Sequence, residues 1–331
     1  MATFVGEFNT SHSPYCYAPV ERWNEIRARR ALSPEVPVDD DETNRQKKQR
    51  IEHGFATLRS KLAEAGPDVV VICGNDQLEN FRFDNYPSFS VYLGDEFEGR
   101  TSGGDLNFGR PDGQRPEAPR QRVQGHPALA TALLTGLMQR GFDPAFSMQM
   151  PEGRGMCHAI MRPAESLTDY SIPIVPLLLN CYYTPQPTAA RCYQFGKALR
   201  EIIEDYPGDL RVAVVGSGGL WHTPGAKNAY LDEEFDRGLL RCLEKGDVRG
   251  MAERFDTYRV PEGDASQEGY LEAGRATTGL PTFGGPQGGT RETCNWIAAA
   301  ATVDGHASTI VDYVPVYASP LGAAFSYFLD V

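Results

Sequence analysis

The sequence predicts an α/β protein: one domain over residues 1–331, with a mixed, mostly parallel sheet flanked by helices and functional groups at the strands' C-terminal edge. Two observations carry this prediction. Short apolar runs, at residues 69–73, 174–179 and 212–215, have strand length and stop at Gly, Asn or Ser. Between them lie segments whose apolar residues recur at helical spacing, and that alternation places helices on the faces of a sheet. With 331 residues, 41% of them hydrophobic, the chain can bury a large core. No internal repeat, low-complexity tract or inter-domain linker divides it.

Residues 2–7 read as the first strand, which ends at the turn Asn9-Thr10-Ser11-His12-Ser13-Pro14. Residues 33–50, rich in Pro, Asp and Lys, read as a solvated excursion. Ile51, Phe55, Leu58 and Leu62 then mark a helix, and residues 69–73 form a buried strand stopping at Gly74-Asn75-Asp76-Gln77. Residues 88–93 are a short strand, 99–125 a loop dense in Gly, Pro and Arg, and 127–140 an amphipathic helix opened by His126. A strand at 174–179, a helix at 189–205 and a strand at 212–215 follow, the last running into Gly216-Ser217-Gly218-Gly219. Helical segments near 231–245 and 247–256, a glycine-rich stretch at 279–289 and a last helix at 292–301 complete the pattern.

The formal net charge of −12 argues against nucleic acid or an anionic membrane as partner, since both call for clustered Lys and Arg. Seven cysteines, an odd number without a CxxC pair, fit reduced thiols better than a disulfide framework or a zinc site. The N-terminus lacks a basic stretch followed by an apolar run, and no apolar run spans a bilayer. A soluble, cytoplasmic protein is expected.

In open α/β sheets functional groups gather just past the strands' C-terminal ends. Those positions hold His12, Gln77 and His222; His158 falls in the loop before strand 174–179, and Glu292 opens the last helix. Two neutral donors and one carboxylate make the facial arrangement of non-haem Fe(II) oxygenases. Each residue also has a plainer account. A His after a strand is ordinarily a hydrogen-bonded turn residue, and Glu292 can simply complement a helix dipole. Residues 216–219 look like a phosphate-cradling loop but lack GxGxxG and the Walker Lys. Spacing alone leaves the function open.

Five segments resemble, in order, those of the class III extradiol ring-cleavage dioxygenases, the superfamily that includes the protocatechuate 4,5-dioxygenase β subunit. They are Ser11-His12-Ser13-Pro14; Gly74-Asn75-Asp76-Gln77 with Asn80-Phe81 and Pro87; Cys157-His158-Ala159 with residues 172–176; residues 216–222; and Glu292-Thr293-Cys294-Asn295-Trp296. The tail at 313–325 is similar to the 3-O-methylgallate dioxygenase branch. The resemblance implies Fe(II) held by His12, Glu292 and the residue at 77, with His222 as acid/base near the substrate and His158 lining the pocket. It implies a substituted catechol or methylgallate-like acid as substrate, O2 as co-substrate, and a homodimer or a partner subunit. An Arg of the 99–125 loop, or Arg162, is a candidate for a substrate carboxylate. The departure is Gln77, where better-known members place a His ligand. An amide oxygen is a harder, weaker donor to Fe(II) than imidazole. Either Gln77 ligates, or another residue such as His53 replaces it, or the site has lost iron. A metal-free member supporting a partner chain, or a relative with altered oxygen chemistry, is therefore the alternative.

Overall fold

In the computed structural model, which describes residues 1–103, 119–223, 226–259, 280 and 282–330, eight strands form one sheet. Its order is β6 (Ala145–Ser147), β3 (Phe89–Tyr92), β7 (Ile174–Leu179), β2 (Val69–Gly74), β8 (Arg211–Ser217), β1 (Thr3–Thr10), β10 (Leu321–Leu329) and β9 (Thr309–Val316). The centre, β7-β2-β8-β1, is parallel; β3 and β10 join it antiparallel on either side. A separate two-stranded ladder pairs β4 (Glu96–Arg100) with β5 (Arg120–Gln124).

Apolar side chains on both faces make the central strands a middle layer. Along β2, Val69, Val71 and Cys73 enter one core, while Val70 and Ile72 enter the other. The first core is closed by α4 (Pro127–Gln139), α6 (Ala189–Asp205), α7 (Glu233–Glu244), α8 (Val248–Thr257) and α9 (Thr293–Ala300). The second is closed by α3 (Asp41–Ala65) and α5 (His158–Thr168), with the short helices α1 (Pro14–Tyr17) and α2 (Trp23–Arg27) at its rim. Side-chain caps start several helices: Asp40, Thr188, Asp232 and Asp247 each accept a backbone N–H three residues on. No helix among the described residues is long and apolar enough to cross a membrane.

The structure corrects three expectations and adds strands that none of them covered. Residues 41–50 are the first turns of α3, because Asp40 caps them and their many charged side chains sit on its exposed faces. His158 is the first residue of α5 and does not lie in a loop. The stretch 99–125 contributes strand residues to β4 and β5, with 104–118 outside the described residues. The short strand β6 and the hairpin of β9 and β10 were unforeseen, since they pair at or near the sheet's edges. Of the glycine-rich stretch, Gly279 and Pro281 lie outside the described residues.

Candidate metal centre and active site

Three parallel strands deliver the site. His12 lies two residues past β1, Gln77 three past β2, and Gly218-Gly219 follow β8. Glu292 arrives from the other side, at the end of a 3-10 turn, Gly288–Glu292, that leads into α9. That helix packs on α6 and β8, so the carboxylate is brought to the strand ends by a buried element.

His12 and Glu292, each 1% exposed, meet with Nε2 3.2 Å from Oε2, without the alignment of a hydrogen bond. The tautomer of His12 follows from its other nitrogen. Pro163 inside α5 lacks the N–H that would bond the Ala159 carbonyl. The Ser217 hydroxyl donates to that carbonyl instead, at 2.6 Å. With its only hydrogen spent, Ser217 Oγ must accept from His12 Nδ1, 3.0 Å away. In the neutral form of His12, a hydrogen on Nδ1 leaves Nε2 as a lone pair turned toward a carboxylate oxygen. Two buried acceptors facing each other require a proton or a cation between them, and a divalent metal fits that donor set.

Glu292 is held on all sides. Oε1 accepts from Gln77 Nε2 at 3.0 Å and Asn75 Nδ2 at 3.3 Å, and Oε2 from the Gly219 N–H at 3.1 Å. Burial pushes its pKa up, but the charge of a protonated His12 beside it, with lesser help from His222 and the Gly219 N–H, outweighs burial and brings it to about 2. The carboxylate is thus an anion at neutral pH. Gly218, at φ 118°, leaves the space: a Cβ there would lie 2.8 Å from both Glu292 Cβ and His12 Cε1. Behind Glu292, Asn295 donates to Asn75 Oδ1 at 3.0 Å and to the Ser217 carbonyl at 2.7 Å, tying three elements together.

His222 follows β8, and its backbone N–H donates to Thr290 Oγ1 at 2.9 Å. Burial is the main cause that lowers its pKa to about 4; the Glu292 charge opposes this, while His12 and Arg30 add to it. His158 presents its ring to His12, centroids 4.8 Å apart and nearly perpendicular. Glu79 grips it twice, Oε2 2.8 Å from Nδ1 and Oε1 accepting the His158 backbone N–H at 3.1 Å. Burial disfavours the imidazolium of His158, but the Glu79 charge and hydrogen bond prevail and raise its pKa. One imidazole is therefore neutral and the other leans cationic. On the same edge, Phe83 and Tyr86 after β2 pack edge-on against Tyr183 after β7, each at 5.0 Å between centroids.

Other candidates lie elsewhere or are committed. His53 projects from α3 toward Thr57, and neither is part of this cluster. His126 caps α4 by accepting the Leu129 N–H at 3.1 Å. Asp76, Glu79 and Cys157 offer donor atoms within 4.8 Å of one another, but Asp76 already accepts the Asn80 and Phe81 N–H groups and Glu79 holds His158. Arg162 donates to the Arg100 carbonyl and lies over the Tyr17 ring. Arg120 and Arg122 pair with Glu98 and Glu96 across the two-stranded ladder, and Arg110 and Arg115 lie outside the described residues. Sequence reasoning missed Ser217 as the partner of His12, Glu79 as the partner of His158, and the Asn75–Asn295 brace. Pro163 inside a helix was the one visible signal.

The chain is similar over part of its length to known ring-opening dioxygenases. A segment 36% identical over 126 residues, 37% of this chain and 36% of the relative, matches a gallate dioxygenase of Pseudomonas putida. A 2,3-dihydroxyphenylpropionate/2,3-dihydroxicinnamic acid 1,2-dioxygenase of Photorhabdus laumondii is 27% identical over 187 residues, 56% of this chain and 53% of that one. Its counterpart from Rhodococcus globerulus is 28% identical over 201 residues, 58% and 55% of the two chains. The matched segments thus span from about a third to just over half of these relatives' length. An uncharacterized protein of Escherichia coli K12 superimposes with a TM-score of 0.42 at 16% identity, covering 83% of this chain and 91% of the other, too slight a likeness to add weight. The family model for the catalytic LigB subunit of aromatic ring-opening dioxygenases matches residues 33–270, which include Gln77, His158 and His222 but not His12 or Glu292. With a match over that much of its length, the chain belongs to the LigB family of aromatic ring-opening dioxygenases.

Proposed function

We propose that the protein opens the ring of a substituted catechol or gallate-like aromatic acid by Fe(II)-dependent extradiol cleavage with O2. The observation that carries this reading is His12 Nε2, without a hydrogen-bond partner, facing the ionised Glu292 carboxylate in a buried site. His12 Nε2 and Glu292 Oε2 would hold the iron. Gln77 would add its carbonyl oxygen, since its amide nitrogen carries hydrogens and is spent on Glu292. Fe(II) would supply a Lewis acid for the substrate's adjacent oxygens and the redox capacity to activate O2.

The chain's own residues then divide the remaining work. Neutral His222 is the base for a substrate hydroxyl, and an imidazole that has taken up a proton can return it later in the reaction. His158, whose protonated form Glu79 favours, donates a hydrogen bond to an oxygen of the bound substrates. Phe83, Tyr86 and Tyr183 give the aromatic ring an apolar wall. A homodimer or a partner chain belongs to the same proposal, and light scattering reads it directly.

One observation favours a second reading, a metal-free member of the family. Gln77 turns its N–H toward Glu292, so a protonated His12 and Glu292 could close the site as an ion pair. Anaerobic loading with Fe(II), followed by metal analysis, separates the two. The dioxygenase reading expects one iron per chain, lost in His12→Ala and in Glu292→Gln. Equal, substoichiometric iron in all three proteins supports the metal-free reading.

A further inference from the structure

His222 and Glu292 reach the strand ends from distant parts of the chain, and one short turn meets both. Elements outside the cluster fix the segment that leads to His222. The Leu220 N–H donates to the Gly322 carbonyl at 3.0 Å, the Gly322 N–H to the Trp221 carbonyl at 2.9 Å, and the Trp221 N–H to Asp236 Oδ1 of α7 at 2.8 Å. His222 itself is tied to the 3-10 turn Gly288–Glu292. The fully buried Thr290 hydroxyl accepts the His222 backbone N–H at 2.9 Å and donates back to the His222 carbonyl at 3.4 Å. One side chain thus serves both backbone polar groups of the residue that carries the imidazole.

Gly289 completes the contact. A Cβ there would lie 2.5 Å from His222 Cδ2 and 2.6 Å from its carbonyl oxygen, so the ring rests directly on the backbone of the turn. Residues three apart in a 3-10 helix stack one above the other, about 6 Å along its axis. The ring therefore lies against the residue one turn before the Glu292 carboxylate. Buried Arg291 anchors the same turn to other loops, donating from Nη1 to the Gly284 carbonyl and from Nη2 to the Pro187 carbonyl, each at 2.7 Å. The Glu292 carboxylate has its own supports in Gln77, Asn75 and Gly219, and none of them passes through Thr290.

We propose that Thr290 is a positioning residue for His222, its hydroxyl holding the imidazole at a fixed distance from the His12–Glu292 pair. The proposal rests on the ring-opening reading above. A base works only within hydrogen-bond reach of the proton it takes, and a displacement of about 1 Å can cost about 10²-fold in rate. Thr290 touches no reacting atom and acts through His222 alone.

The test uses the full-length protein, metal-free and loaded with Fe(II), with whichever of gallate, pyrogallol or catechol the parent opens fastest. Thr290→Val keeps the branched shape and removes the hydroxyl. It should lower kcat by about 10–10²-fold, with kcat/KM falling in step while KM and iron content hold. Thr290→Ser restores the hydroxyl and should recover most of that loss. A role in packing alone predicts the reverse order, since Val fills the space and Ser does not. In the metal-free protein the His222 ring signal of a proton–carbon NMR spectrum, identified by its absence from His222→Phe, should move in Thr290→Val and return in Thr290→Ser. Should Thr290→Val not fold, Gly289→Ala tests the same contact, because its Cβ must push the ring off the turn and lower kcat with iron retained. Parent-like kcat in these variants, Thr290→Ser slower than Thr290→Val, or iron lost with normal turnover per remaining iron makes Thr290 a scaffold residue and overturns the proposal while ring opening stands. A parent that binds iron yet opens none of the three compounds overturns the ring-opening reading, and this proposal with it.

Discussion

Two imidazoles with pKa values shifted in opposite directions lie at the strand ends, and their environments set the difference. His222 is buried and stays neutral; His158 is gripped by Glu79 and leans cationic. A pair of titratable groups pushed apart in this way is how one site keeps a base and a proton donor together near neutral pH. His222→Phe should leave iron bound but slow ring opening by about 10²–10⁴-fold, the usual contribution of a positioned acid/base. Loss of iron with normal turnover per remaining iron would instead make His222 a ligand. Gln77 is the second residue to probe. Imidazole binds Fe(II) better than an amide oxygen, so Gln77→His should tighten Fe(II) binding at least about tenfold, read by anaerobic calorimetry. Equal affinity in Gln77→Ala, Gln77→His and the parent would remove residue 77 from the metal's surroundings.

At the scale of elements, the position of Glu292 depends on how closely α9 approaches its neighbours. Gly196 of α6 allows the closest crossing: a Cβ there would lie 2.0 Å from the Ala298 carbonyl oxygen and 2.7 Å from Ala301 Cβ. Gly196→Ala should cost about 1–3 kcal/mol of stability by urea unfolding, as overpacking does, and should weaken iron binding because α9 carries Glu292. A variant as stable as the parent would show that the two helices separate freely. The elements also divide by how well a sequence announces them. Strands β2, β7 and β8 were legible because each is a run of Val, Ile and Leu of strand length bounded by turn residues. The β9–β10 hairpin was not. β9 carries Asp312 and Pro315, which suit an edge strand, and its place is fixed by pairing with β10 and, through it, with β1 some 300 residues earlier in the chain. His12 and Glu292 could be singled out from short motifs, whereas Ser217 and Glu79 matter through partners that only the fold brings near.

For the molecule as a whole, Glu7 is a cost carried inside the sheet. It lies fully buried on β1, and burial raises its pKa to about 8 despite a hydrogen bond from Asn9. The folded-state value lies above the ordinary 4.5, so between pH 4.5 and 8 the folded protein keeps a proton that the unfolded chain gives up. Stability contributed by this group is full below about pH 4.5, falls across that window and levels off above pH 8. At about 1.4 kcal/mol per pKa unit, the fall is on the order of 5 kcal/mol as an upper bound. Buried Asp236, its pKa also raised by burial, adds to the same slope. Glu7→Gln should therefore flatten the decline and melt higher than the parent at pH 8, by calorimetric scans at pH 5 and pH 8. An identical slope in parent and variant would place the titration elsewhere.

The central claim is that His12 and Glu292 hold iron for ring opening, and oxygen consumption tests it most directly. The protein is loaded with Fe(II) under anaerobic conditions, freed of excess metal, and given gallate in an oxygen electrode. The account predicts uptake of one O2 per gallate consumed, absent in Glu292→Gln. Stoichiometric iron with no uptake on gallate, pyrogallol, catechol or 3-O-methylgallate would contradict it.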